Sequence, residues 1–461
     1  MSQQPPGPAD LVLTGRFELG ERQRYRHVPF EMPSDVTQIH IAYDYSDRIA
    51  HTPGLSGGNT LDIGLFDQRG YAAGTPGFRG WSGSDKSSFT VGWDWATPPY
   101  RPGAIEPGTW YVLLGPYKIG PNGLDYRVQI WLNPGLGNDF PEPTEITPGA
   151  PAKVPAAAEP GWLRGDFHCH TLFSDGDSWP AEVVAAAADI GLDFVAITDH
   201  NSARRPQFDC APDARPIVIS GTETTTYGGH WNAWGVDRWF EFRTPTTEGT
   251  QAAFDDAVAA GALVSINHPK PLGPDWEYGD LSGNHAIEIW NGPWGALNAI
   301  ALGNWEERLK AGMRPVAIGG SDTHALKSPR DRLFHAHLGC PTTWVNVNGD
   351  ASATGILNAV RRGGAFISAS PDGPQLYFER QRDVVRIHVV GAKRATLAVL
   401  SERWSEAAFS IPENDWETQM PYPASANYLR AQVIDSSGNM MAVSNPIWRD
   451  QSSQRSDNGG N

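Results

Sequence analysis

A chain of 461 residues exceeds what one hydrophobic core organises, roughly 100–200 residues, so two or three domains are expected. Its 36 basic and 52 acidic side chains leave a net charge of −16, which excludes a general cationic surface for long nucleic acid or anionic membrane. With 40% apolar and 19% charged residues, it is not a disordered chain.

The N-terminus, MSQQPPGPADLVLTG, lacks a basic segment followed by an apolar run, so no signal peptide is expected. No run of 18 apolar residues predicts a membrane helix. Three cysteines, Cys169, Cys210 and Cys340, are too few and too scattered for a disulfide framework and suit a reducing compartment. The expectation is a soluble, cytoplasmic protein.

Residues 10–134 contain short alternating runs, LDIGLFD, SSFTVGWDW, TWYVLLGPY and DYRVQIWL, broken by turn residues. They predict a β-sandwich. Its aromatic residues (Trp81, Trp93, Trp95, Tyr100, Trp110) could form a glycan- or partner-binding face, but core packing with a structural or homo-oligomerising role is the better reading. Residues 135–160, rich in Pro, Ala and Glu, read as an extended linker.

From 161 to 371 the pattern changes. DFVAIT, PIVIS, ALVSIN, AIEIW and PVAIGG are short apolar runs of the kind that parallel strands, buried on both faces, display. Helical stretches intervene; the first has Asp177 or Ser178 as its expected N-cap, Pro180 in its opening turn and Gly191 at its end. Strands alternating with helices predict an α/β domain, open or closed into a barrel. Residues 372–449 return to strand patterns and predict a small C-terminal β domain; 450–461 read as a disordered tail.

Chemistry-bearing residues follow these strands. LRGDFHCHT supplies His168 and His170, with Asp175 beyond; DFVAITDH supplies Asp199 and His200; PIVISGTE supplies Glu223, then His230; ALVSINH supplies His268; PVAIGGSDTH supplies Asp322 and His324. Active sites of parallel α/β domains gather at the C-terminal strand ends, so five strands direct imidazoles and carboxylates to one rim. That donor set suits Zn, Mn or Fe and exceeds what one ion needs. His168 and His170, two apart on a strand, face the same side. Cys169 faces away and reads as a small buried hydrophobe. His27, His40, His51, His285, His335, His337 and His388 fall outside the pattern and read as structural or surface residues.

HCHTLFSDG, TDHN, Glu223 with His230, NHP and SDTH, in this order, resemble the motifs of the polymerase and histidinol phosphatase (PHP) superfamily over residues 162–370. The N-terminal β region and SNPIW near the C-terminus are similar to its carbaryl-hydrolase-like branch. The resemblance implies a distorted seven-stranded β/α barrel with two or three divalent metal ions. His168, His170, Glu223 and Asp322 would hold one; Glu223 would bridge to a second with His230 and His268; Asp175, His200 and His324 would hold a third. Several relatives carry His where Asp175 stands. Asp199 would orient a ligand imidazole.

A loaded three-metal site would be roughly +2 and attract anions. Such ions lower the pKa of bound water from about 15.7 to near 7. The expected reaction is hydrolysis of a small-molecule ester, a phosphomonoester or phosphodiester, or a carbamate or aryl ester. Lys270, Lys327, Arg330 and Arg332 could clamp an oxyanion. Trp231, Trp234, Trp290 and Trp294 could stack on an aromatic group, although packing is the more ordinary role. The alternative is a non-catalytic, metal-stabilised protein that binds glycan or protein.

Overall fold

The computed structural model describes residues 5–49, 57–143, 146, 149, 152–204, 215–271, 274–327 and 336–450. Eight strands occupy the N-terminal region: β1 Leu11–Phe17, β2 Arg26–Met32, β3 Gln38–Tyr45, β4 Thr60–Phe66, β5 Phe78–Gly83, β6 Ser88–Gly92, β7 Gly108–Lys118 and β8 Leu124–Leu132. They form two four-stranded sheets, β1-β8-β3-β6 and β2-β7-β4-β5. Alternation sets the faces: in β8, Leu124, Tyr126, Val128 and Ile130 are buried, while Asp125 and Arg127 are exposed. Strand β4 is buried along its whole length. Leu61, Ile63 and Leu65 enter the core between the sheets, whereas Phe66 joins a second cluster with Phe78, Trp81, Leu113 and Phe242. The outer face of this sheet is therefore covered by the next part of the chain.

The described residues from 133 to 161 contain no helix or strand. Next come β9 Trp162–Cys169, α1 Pro180–Asp189, β10 Phe194–Ile197, β11 Ile217–Thr226, β12 Gly229–Trp234, α2 Thr247–Ala259, β13 Leu263–Ile266, β14 Ala286–Asn291, α3 Asn298–Lys310 and β15 Val316–Gly320. The seven strands lie in the order β15-β14-β13-β12-β11-β10-β9. They are not uniformly parallel, since β12 returns as a hairpin and runs antiparallel to β11 and β13. A two-residue turn at Tyr227 and Gly228 leaves no room for a crossover helix, so helices are fewer than strands. The two ends of this row meet: Asp322 N donates to His168 O at 2.8 Å and His170 N to Thr323 O at 2.9 Å, with a bridge between Cys169 and Thr323.

Helix α1 is capped differently from the expectation. Its N-cap is Trp179, whose backbone N–H is satisfied by Glu182 Oε2 at 2.7 Å. Asp177 is occupied elsewhere, accepting from the backbone N–H groups of Leu326 and Lys327.

The remaining elements are β16 Thr342–Asn346, α4 Ala353–Arg361, β17 Ala365–Ser368, β18 Gln375–Gln381, β19 Val384–Val390, β20 Thr396–Leu400, β21 Ser405–Ser410, β22 Asp415–Pro421, β23 Tyr428–Ile434, β24 Met440–Ser444 and β25 Ile447–Trp448. Most continue the same sheet from β9 through β16-β17-β24-β23-β20-β21, giving fourteen strands with β25 on β23. The C-terminal strands thus share the sheet that carries the strand-end residues, and β18-β19-β22 form a small separate sheet. The expected tail beyond Asp450 lies outside the described residues. Among the described residues, no helix is long and apolar enough to cross a membrane.

Candidate metal centre

The strand ends bring His168, His170, Asp175, His200, Glu223, His230, His268, Asp322 and His324 into one cluster. Glu223 is its hub. Oε2 lies 2.7 Å from His200 Nδ1 and 3.5 Å from His170 Nε2. Oε1 lies 3.2 Å from His230 Nδ1, 3.2 Å from His268 Nε2 and 3.4 Å from His168 Nε2. Asp322 Oδ1 is 3.0 Å from His170 Nε2 and 3.5 Å from His168 Nε2. Asp175 Oδ1 is 3.2 Å from His324 Nε2 and 3.6 Å from His200 Nε2.

Local backbone geometry makes this convergence possible. Gly320 approaches so closely that a Cβ there would lie 2.4 Å from His168 Cβ and 2.7 Å from Glu288 Oε1, so no side chain fits at this point in β15. Asn201, His268 and Asp322 hold φ of +40°, +28° and +54°. Non-glycine residues adopt this region at a cost, and such strain is concentrated at functional sites.

Burial and charge oppose each other throughout the cluster. Burial disfavours an ionised Glu223, but the imidazoles of His168, His230 and His200 hold its carboxyl well below the usual range. Asp175 and Asp322 are likewise held low against burial, by His324 and His200 and by His168 respectively. Burial, with His324 and His200 adding to it, pushes His170 down to about 3. His200 goes the other way, to about 9, because Glu223 and Asp175 outweigh its burial. His168 is also raised, by Glu288, Glu223 and Asp322.

Three groups have the composition and spacing to hold a metal ion: His170 with Asp175, His200 and His324; His168 with His170 and Glu223; and His200 with Glu223 and His230. Asp175 Oδ1, Glu223 Oε2, His230 Nδ1, His268 Nδ1 and Asp322 Oδ1 are buried without a hydrogen-bond partner. Such atoms are individually ordinary in native proteins but are seldom concentrated at one point. Four of them, Asp175 Oδ1, Glu223 Oε2, His230 Nδ1 and Asp322 Oδ1, face the cluster and fit divalent cations, which would supply the missing partners. A cation would also have to displace protons from His168 and His200.

Two carboxylates in the supporting layer lie outside the sequence-derived set. Glu288 Oε1 is 3.0 Å from His168 Nδ1, and its Oε2 accepts from His268 N and Asn291 Nδ2. Asp166 accepts from the N–H groups of His168, Ser321 and Gly339. The available signal was a lone acid inside each apolar strand, AIEIW and LRGDF. Glu288→Gln is expected to weaken divalent-metal binding about 10–100-fold by loosening His168. Titration of the metal-stripped chain measures this; unchanged affinity would remove Glu288 from that role.

The other expected residues lie as follows. Asp199 accepts from Thr171 N, Thr171 Oγ1 and Ser174 Oγ. Ser174 Oγ lies 3.4 Å from His170 Nδ1, so Asp199 reaches an imidazole through Ser174. Lys270 departs from the expectation of a substrate clamp. Its buried Nζ donates to Asn291 O at 2.9 Å and Asn298 Oδ1 at 2.8 Å, and it lines a separate recess beside Pro269 and Trp276. Lys327 is half exposed and paired with Glu182 at 2.7 Å. Arg330 and Arg332 lie outside the described residues. Trp231, Trp234 and Trp290 are fully buried and serve packing: Trp231 meets Phe254, Trp234 Nε1 donates to Phe167 O, and Trp290 packs on Trp294.

No model of a known protein family matches the chain. Among curated proteins, an uncharacterized protein of Methanocaldococcus jannaschii is 53% identical over 38 residues, 8% of this chain and 17% of that protein. The chain therefore spans less than a fifth of that relative's length. Among solved structures, a two-domain protein of Bacteroides vulgatus containing a predicted PHP-like metal-dependent phosphoesterase shares 19% identity, with 66% of this chain and 100% of that chain covered and a TM-score of 0.38. A candidate metal-dependent phosphoesterase of Bifidobacterium adolescentis shares 20% identity over 38% of this chain and 90% of that one, with a TM-score of 0.25.

Proposed function

We propose that this protein is a metal-dependent hydrolase of the PHP type acting on a small-molecule ester, foremost a phosphoester. The observation that carries the reading is the gathering of imidazoles and carboxylates around Glu223, with Asp175 Oδ1, Glu223 Oε2, His230 Nδ1 and Asp322 Oδ1 buried and lacking hydrogen bonds. The order of seven strands whose ends meet at Cys169 and Thr323 supports a distorted barrel. His168, His170, Glu223 and Asp322 would hold one ion, Glu223, His230 and His268 a second, and Asp175, His200 and His324 a third. Zn, Mn or Fe suit this mixture of imidazole and carboxylate. Bound there, divalent ions lower the pKa of water and neutralise charge on the ester.

The chain's own part is orientation. Glu288 fixes the His168 ring, Thr225 Oγ1 meets His200 Nδ1 at 2.5 Å, and Asn267 Nδ2 donates to Glu223 Oε1 at 2.9 Å. These contacts fix ring and carboxylate positions before any ligand arrives, which is where such sites derive their efficiency. A carbamate or aryl carboxylic ester is the second reading, favoured by the apolar walls of the cavity above the cluster.

The test is to count metals in the purified chain and assay it with Mn or Zn against aryl phosphate monoester, diester and carbamate. About two or more ions per chain and turnover of a phosphate ester are expected. Metal without turnover of any ester would favour a binding protein, and absence of metal would sink both readings.

A further inference from the structure

The turn at Tyr227 and Gly228 joins two strands that both carry members of the cluster. Glu223 stands four positions before Tyr227 on β11, and His230 stands three after it on β12. Thr225, opposite His230 in the register, meets His200 Nδ1. An isolated two-stranded hairpin is marginally stable in water, so such a tip keeps its place by what it packs against. The β10 ladder on β11 ends at Ser220, and the β13 ladder on β12 begins at Trp231. Beyond those points the flanking strand ends reach the hairpin no further than Thr225 and His230, which Asn201 and Asn267 bond. What receives the tip is the N-terminal sandwich. The Tyr227 ring lies between those of Tyr25 and Tyr117, with centroids 5.1 Å away on either side, and its hydroxyl donates to Asp62 Oδ2 at 2.8 Å. The slot exists because position 115 on β7 has no side chain: a Cβ on Gly115 would collide with the Tyr227 hydroxyl and come within 2.7 Å of Tyr25 Cε1. Tyr278 Oη secures the turn itself, accepting from Gly228 N at 3.2 Å and lying 2.6 Å from Thr226 Oγ1.

Resting on the metal-dependent reading above, we propose that Tyr227 is a positioning residue of the metal centre, through which the N-terminal sandwich sets the place of His230. The ring holds no metal itself. It acts along a short stretch of hairpin that the β11–β12 ladder keeps in one register. Stacking between two rings fixes it more firmly than burial alone. Asp62, Tyr117, Tyr227, His200 and His230 line one cavity of about 520 Å³, so this grip stands beside the cluster. Metal–ligand distances hold to within about 0.2 Å, and a released tip carries His230 and Thr225 with it. His168, His170 and Asp322 belong to β9 and the end of β15, which the tip does not carry. Releasing Tyr227 therefore weakens the ion that His230 holds and spares the one between His168, His170 and Asp322. The sandwich is thus part of the metal centre and not a module appended to it.

The experiment titrates the full, metal-stripped chain with Co²⁺, followed by calorimetry and visible absorption. It compares the parent with Tyr227→Ser, Tyr227→Phe, Gly115→Ala and Arg243→Met. Tyr227→Ser removes ring and hydroxyl, and Gly115→Ala displaces the ring from the sandwich side. Arg243→Met is the control, because Arg243 bonds His27 and the Tyr71 carbonyl and so joins the sandwich at a point outside the hairpin. Tyr227→Ser and Gly115→Ala should each bind one ion per chain about 10–100-fold more weakly, with altered Co²⁺ absorption and the other ions at parental affinity. Tyr227→Phe keeps the stacked ring and should recover most of that affinity, and Arg243→Met should match the parent. If Tyr227→Ser does not fold, Gly115→Ala decides. Parental affinity for every ion in both variants, equal weakening of all ions, or the same loss in Arg243→Met would overturn the assignment. A parent that binds no Co²⁺ would remove the metal reading and this proposal with it. Loss of one ion in the variants, with no ester turned over by any chain, would leave the positioning role standing and remove the hydrolase reading alone.

Discussion

Glu223→Gln is expected to lower metal content by at least one ion per chain and turnover by about 1000-fold or more. The substitution keeps the shape of the side chain and removes its charge. Five imidazoles of the cluster, those of His168, His170, His200, His230 and His268, lie within 2.7–3.5 Å of the Glu223 oxygens. No other side chain in the cluster is so central. An amide offers one weakly basic oxygen where the carboxylate offered two charged ones, and it turns an N–H group toward one set of neighbours. Any cation shared between those neighbours loses its bridge. Asn267 Nδ2 already donates to Oε1, so the amide would settle with its oxygen there and its N–H₂ toward His200. Metal analysis of the purified variant, alongside its kcat/KM, tests this. Parental metal content with parental turnover would show that Glu223 is merely a buried acid neutralised by histidines.

The positions that form this cluster were legible because each stands just after an apolar strand, and strand ends in such domains point to one rim. His230, which opens β12, and Asp175 are the exceptions; Asp175 sits in the loop after β9. Its approach depends on Gly176, where a Cβ would come within 2.8 Å of the His170 carbonyl. What sequence could not reveal is pairing across long separations. Nothing local to Asp62 announces Tyr227, 165 positions further on. LDIGLFD looked like a strand with one wet face because alternation records side-chain polarity, not what covers it. The antiparallel course of β12 was hidden for a related reason: GHWNAW is short, and its neighbours' apolar runs read the same in either direction. Lys270 shows the reverse error. A lysine next to a ligand histidine suggests an anion clamp, yet its ammonium is committed to Asn291 and Asn298 and so pins the strand end to α3.

Asp62→Asn is expected to stabilise the protein at pH 8 by about 2–4 kcal/mol, with the gain shrinking as the pH falls. Asp62 is 6% exposed, and burial raises its carboxyl from 3.8 to about 7, against the pull of the Tyr227 hydroxyl. An unfolded chain releases this proton near pH 4, whereas the folded protein holds it up to about pH 7. The stability that comes with the protonated form is therefore complete below the unfolded value and is lost as pH rises through the folded one. Asparagine has no proton to lose and still offers Tyr227 an acceptor at the same point of contact between the N-terminal sandwich and the β11–β12 hairpin. Denaturant unfolding of parent and variant at pH 5 and pH 8 gives the two differences directly. The variant should lead clearly at pH 8 and by much less at pH 5. A difference that stayed flat across this range would mean that Asp62 is ionised in the folded protein at both pH values and that its bond to Tyr227 outweighs burial.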